Sequence, residues 1–187
     1  VGGGGAGGGG GTPGAGGTPV GVEYKYVIIR DSSLDENMSG TPGVDICGIT
    51  AECGGVSSNG ANAILTAGFG DTCDGSTTEA PCESGTDRGD PEAATDAGDN
   101  CAAASSPSDY VSLGVTGELS VAFPTDLAGC DITIIELAGG STPNESYEVW
   151  ICDAADPDAE TTSCINMGAV HTSPATGGDA SFVVPTP

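Results

Sequence analysis

The chain has 187 residues, 33 of them glycine, and sets 27 acidic side chains against three basic ones, a formal net charge of −24. A phosphate backbone needs a basic footprint, and anionic lipid attracts polybasic segments, so this balance excludes nucleic acid and anionic membrane as partners. The sequence has no apolar run long enough to span a bilayer, which excludes membrane insertion by a helix.

Twelve of the first twenty residues are glycine, and residues 1–21 read as an N-terminal extension separate from one domain at 22–187. Glycine loses the most backbone entropy on ordering and offers no side chain to bury, so such a segment has no means of folding alone. Thr12-Pro13 and Thr18-Pro19 stiffen it locally toward extended geometry. The chain opens on Val1 rather than Met, which predicts a mature product cut from a secretory signal.

The first strand is expected at 22–31, where VEYKYVIIRD carries β-branched and aromatic residues on both parities, as a strand buried on both faces would. Residues 31–43 are a turn-rich acidic loop, 44–53 a second strand and 61–69 a third. Residues 70–109 lack large apolar side chains and read as a long acidic insert that disulfides must pin. Alternation returns from Tyr110: Val111, Leu113 and Val115 share one face, Leu119, Val121 and Phe123 another, with a hairpin turn expected over Gly114–Gly117. Further strands are expected at 130–137, 145–152, 164–170 and 179–184. Trp150 falls off the Tyr147, Val149 and Ile151 face and reads as a core residue of the opposite face rather than a sugar platform. No segment has the period of a long amphipathic helix, so the expected fold is all-β: a disulfide-stapled antiparallel β-sandwich, jelly-roll-like, carrying a Gly-rich tail.

Eight cysteines, Cys47, Cys53, Cys73, Cys82, Cys101, Cys130, Cys152 and Cys164, all fall within the domain and none forms a C-x-x-C pair. An even set without metal-ligand spacing predicts disulfides and an extracellular, oxidising location. Cys152–Cys164 and Cys73–Cys82 each close a short polar loop and are the expected local pairs.

Three stretches carry a family resemblance: YVIIRDSSLDENMSGTPGVDIC (26–47), DYVSLGVTGELSVAF (109–123) and CDITIIELAGGSTPNESYEVW (130–150). Their recognisable pieces are a strand ending in Asp before a Gly-Pro loop and GVDI, the DYVSLG entry, and the ITIIE…ESYEV pair. Together they resemble secreted bacterial cell-surface domains of the discoidin or galactose-binding-like jelly-roll type. The resemblance implies a β-sandwich at a cell surface and no particular activity.

Acidic clusters near 31–45, 71–79, 87–100 and 153–160 offer the oxygen ligands that Ca²⁺ requires, although none has EF-hand spacing. Asp31 and Asp45 are the candidate ligands beside strands, and Asp87 and Asp90 lie in the densest cluster. Asn37 and Asn144 open sequons in loops. No G-x-S-x-G elbow occurs and His171 is the single imidazole, so no catalytic residue is assigned and no enzyme is expected.

The chain therefore reads as a secreted structural subunit that assembles with copies of itself into a filament, sheath or surface layer. Its assembly element is the tail: Gly2, Gly3, Gly4, Gly5, Gly7, Gly8, Gly9, Gly10 and Gly11, docking on a neighbouring copy. The alternative is a Ca²⁺-dependent carbohydrate-binding or adhesion module that uses the glycine segment as a linker.

Overall fold

The computed structural model describes residues 21–33, 43–66, 91–96, 109–137, 145–160, 162–171 and 179–186. Gly2–Gly11, Asn37, Asp87, Asp90, Asn144, Cys73, Cys82 and Cys101 lie outside the described residues. The strands, in chain order, are β1 (Tyr26–Asp31), β2 (Asp45–Cys53), β3 (Val56–Asn59), β4 (Asn62–Thr66), β5 (Val111–Ser112), β6 (Glu118–Ala122), β7 (Asp131–Glu136), β8 (Ser146–Cys152), β9 (Cys164–His171) and β10 (Ala180–Val183).

Two antiparallel sheets result. Sheet A has the order β4-β6-β1-β8-β9; sheet B has β10-β7-β2-β3, with β5 pairing β2. They enclose one core, to which sheet A contributes Val27, Ile29, Leu119, Val121, Tyr147, Val149 and Ile151, and sheet B Ile46, Ile49, Ala51, Val111, Ile132 and Ile134. The pleat explains this choice, because alternate residues of a strand point to one face. Register then aligns the core rows: Val27 lies between Val121 and Ile151, and Ile29 between Leu119 and Val149. In β2 the parity changes, since Ile46 is even and Ile49 and Ala51 are odd. A bulge between Ile46 and Gly48 inserts Cys47 and restores the inward direction.

Ile28 points away from the inter-sheet core yet is fully buried, as the apolar residues on both parities of β1 predict. Trp150 pairs with it on the same outer row, is half-buried and lies outside the inter-sheet core. The sequence reading of Gly114–Gly117 as a hairpin is corrected. Gly117 N–H does donate to Gly114 O at 2.8 Å, but β5 joins sheet B and β6 joins sheet A. The tight turn carries the chain between sheets. Gly117 is required there: a Cβ would stand 1.7 Å from the Leu113 carbonyl oxygen.

Two elements escape the sequence reading. The first is β3, joined to β2 through Gly54-Gly55 with φ of 60° and 83°. Positive φ at both central residues is the two-residue hairpin turn, and Gly-Gly is one of its signals. The second is a 3₁₀ helix, Pro91–Thr95, whose Ala93 and Ala94 are buried. Alanine is small enough to pack a one-turn helix against strands without adding a large apolar side chain to the insert.

Cys152–Cys164 forms as expected, directly across the β8–β9 pair. Cys53–Cys130 extends the β2–β7 ladder by one step. Cys47 is also disulfide-bonded, and no described cysteine is free. These disulfides place the protein in an oxidising environment. Among the described residues no helix is long and apolar enough to cross a membrane.

Sequence separations of 77 for Cys53–Cys130 and 12 for Cys152–Cys164 rank the two bonds. Restricting the unfolded chain predicts about 4–5 kcal/mol for the longer loop and about 3 kcal/mol for the shorter. Paired Cys→Ala replacements followed by guanidinium unfolding should show the larger loss for Cys53 and Cys130. Equal losses would refute the ranking.

Candidate functional site

Asp31 ends β1 and is only 3% exposed. Its carboxylate accepts hydrogen bonds from Ser33 N–H (3.1 Å), Ser33 Oγ–H (2.8 Å), Val44 N–H (2.9 Å) and Thr116 N–H (3.2 Å). Its own N–H donates to Gly117 O at 2.8 Å. Four acceptances match the lone-pair capacity of a carboxylate, so the oxygens that the sequence offered to Ca²⁺ face donors of the chain itself. Burial pushes the Asp31 carboxyl above the ordinary value of 3.8, and hydrogen bonds from Ser33, Val44 and Thr116 oppose that rise.

Asp45 starts β2 and accepts a hydrogen bond from Ser112 Oγ across the β2–β5 pair. Burial first, and Asp45 second, raise the nearby Tyr110 phenol. Tyr147 is fully buried and held well above its ordinary value by burial, then Glu136, then Asp179. Among the described residues no three His, Cys, Asp or Glu side chains converge to hold a metal ion. The 153–163 loop explains why one acidic cluster does not. Asp156 accepts from Asp158 N–H at 3.0 Å, the local bonding that makes Asp a turn residue, and Asp153 accepts from Ser163 N–H at 2.9 Å across the base of the loop. His171 is exposed at the end of β9, opposite Ser146.

Among the described residues, concave surface lies on the outer face of sheet A. β6 reads ELSVA, so Leu119 and Val121 enter the core while Glu118, Ser120 and Ala122 face outward. Small Ser120 and Ala122 stand between the larger outward residues of β4 and β1, Ile64 and Tyr26 among them, and a furrow follows along β6. Ala155, from the loop between β8 and β9, lines it as well. The furrow comprises a cavity of about 400 Å³ lined by Tyr26, Asn62, Glu92 and Ser120, and a second of about 610 Å³ bordered by Arg30, Glu118, Asp156 and Asp158. Ile64 belongs to both and is 58% exposed.

At one end Arg30 Nε and Nη2 donate to Glu118 Oε2 at 3.0 and 2.7 Å, and Nη2 also reaches Asp158 at 3.1 Å. The hydrogen bonding that Arg30 donates to Glu118 is the largest cause of its raised pKa. The contact with exposed Asp158 adds little stability. Among the described residues, two buried polar atoms on this face lack partners: Ser120 Oγ and Trp150 Nε1, which flank Ile28 in one register row. Sequence reasoning marked Trp150 but not Ser120 or Ile64. The available signal was the pair of small outward residues in ELSVA between strands with bulky outward ones.

Comparison with protein-family models, curated proteins and solved structures finds no match.

Asp31→Asn should destabilise the fold by about 1–3 kcal/mol, because an amide nitrogen would meet donors that need an acceptor. Chemical denaturation measures it; an unchanged midpoint would rule out the clasp. The pH dependence has a definite sign. With its folded pKa raised, Asp31 contributes stability that is fully present below 3.8 and lost as pH rises through the folded value. Stability should therefore grow as pH falls from neutrality into the carboxylate range, and grow less steeply in Asp31→Asn.

Proposed function

We propose that the chain is a secreted, non-catalytic structural subunit that associates with copies of itself through its N-terminal glycine segment. The observation that carries the reading is how the segment meets the body. Tyr24 N–H donates to Asp126 at 2.9 Å, Leu127 N–H to Tyr24 O at 2.8 Å, Lys25 N–H to Cys152 O at 2.9 Å and Phe123 N–H to Lys25 O at 2.7 Å. These bonds clamp the entrance to β1, which is the middle strand of sheet A. Immediately before the clamp, Gly21, Val22 and Glu23 are exposed. The glycine segment is thus tethered at a rigid point of the body.

Charge supports the same reading. Copies with a net charge of −24 repel one another, and a contact between their bodies has to overcome that repulsion. Residues 1–22 carry no ionisable side chain. A tail of one copy on the body of the next is a heterologous contact, which propagates into an open filament.

The expected outcome is that the full chain associates in a concentration-dependent manner and more readily as salt screens the bodies. A chain lacking residues 1–19 retains every described contact and should stay a folded monomer in sedimentation velocity and electron microscopy. If the shortened chain forms the same assemblies, the proposal fails.

A further inference from the structure

We infer that the furrow on the outer face of sheet A is the acceptor for the glycine segment, residues 1–20, of a second copy of this chain. The inference rests on the assembly reading above and gives it a site.

The furrow has the shape of an extended chain. Its floor follows β6 from Ala122 to Glu118, about 13 Å at the rise of a strand. Its flanking strands, β4 and β1, are two inter-strand spacings apart, about 10 Å. That width admits a backbone with little side chain. Glycine brings the backbone closest to a floor of Ser120 and Ala122.

The floor also presents an unmet hydrogen bond. Ser120 is 5% exposed, lines the furrow, and its Oγ has no partner. A buried hydroxyl without a partner is costly, and rotation of the Ser120 side chain toward the furrow would let it donate to the carbonyl of a chain laid there. Ile64, exposed on the β4 wall, would be covered by the same chain.

Electrostatics select the occupant. Among the described residues the lining holds four carboxylates, Glu92, Glu118, Asp156 and Asp158, against one guanidinium, that of Arg30. The acidic loops of a neighbouring body would be repelled there, whereas residues 1–20 are neutral. Reach is sufficient: twenty extended residues span about 66 Å, and a body of this size is about 40 Å across. A segment that gives four or five residues to the furrow keeps enough chain to bridge two bodies.

The test uses two full-length variants and a shortened chain. Ala122→Phe fills the floor; Ile64→Glu adds a carboxylate at an exposed wall position, where folding is not at stake. Both variants should keep the parent circular dichroism and unfolding midpoint, and both should need at least tenfold more protein to associate. Each variant still has a donor tail, and the chain lacking residues 1–19 still has an open furrow. Mixing a variant with the shortened chain should give one-to-one heterodimers, although each is monomeric alone. If Ala122→Phe fails to fold, Ile64→Glu decides. Variants that associate like the parent would overturn the furrow as acceptor and leave the assembly reading standing. Association of the shortened chain by itself would instead overturn the assembly reading. A full chain that stays monomeric at every concentration, with its own tail in its own furrow, would overturn both.

Discussion

The carboxylate of Asp31 ties together three parts of the chain that are remote in sequence. It receives N–H groups from Val44 and Thr116 and both the N–H and hydroxyl of Ser33. Around it the backbones close in: Leu113 N–H donates to Val44 O, and a Cβ on Gly43 would fall 2.7 Å from the Gly114 carbonyl carbon. Gly43 also has a φ of 77°, so this residue needs both the conformation and the space. The clasp holds the end of β1 in sheet A against the start of β2 in sheet B, next to the turn that crosses between the sheets. Without an acceptor at position 31, several buried N–H groups would lose their partners together. The fold thus accepts a buried carboxylate because backbone N–H groups and the Ser33 hydroxyl offset part of its desolvation.

That arrangement bears on the rest of the acidic chain. Burial of Asp31 and Asp45 is used to join segments, and Asp153 and Asp156 shape a turn. Acidity therefore does two different jobs. Inside, it satisfies backbone and hydroxyl donors. Outside, it sets a field of one sign around the body. The oxidised cysteines matter more for this reason: a body under strong self-repulsion gains from covalent links that restrict its expanded states.

Strand positions were legible because the core alternates cleanly at Leu119 and Val121, and at Tyr147, Val149 and Ile151. The double-sided burial of β1 was legible from Val27, Ile28 and Ile29 in succession. Pairing was not. Val111–Val115 and Leu119–Phe123 have the pattern of a hairpin, yet alternation records only which face a residue takes, never which sheet it joins. Nor does a local motif distinguish a carboxylate that binds metal from one that caps a backbone. Asp31 and Asp45 were singled out for their place beside strands, and that place is what makes them clasps. The furrow was hidden for a related reason. It arises from small residues on β6 next to larger ones on β4 and β1, strands that are neighbours only once the order β4-β6-β1 is known.

The same order fixes what the outer face of sheet A can do. Its middle strand, β1, both emits the glycine segment and forms a wall of the furrow. The donor's anchor and the acceptor's wall are therefore parts of one rigid element, so the spacing between successive copies would be governed by the tail rather than by deformation of the body. In the proposed contact, a tail without charged side chains would meet an acidic furrow without the repulsion that an acidic segment of the chain would face. The glycine-rich, uncharged composition of residues 1–21 is what would let them approach a body carrying a charge of −24. Glycine's entropic cost on ordering then works in favour of reversibility: each ordered residue weakens the contact by about 1–2 kcal/mol before burial and hydrogen bonding are gained, so only a seat with a waiting donor and an apolar wall holds it.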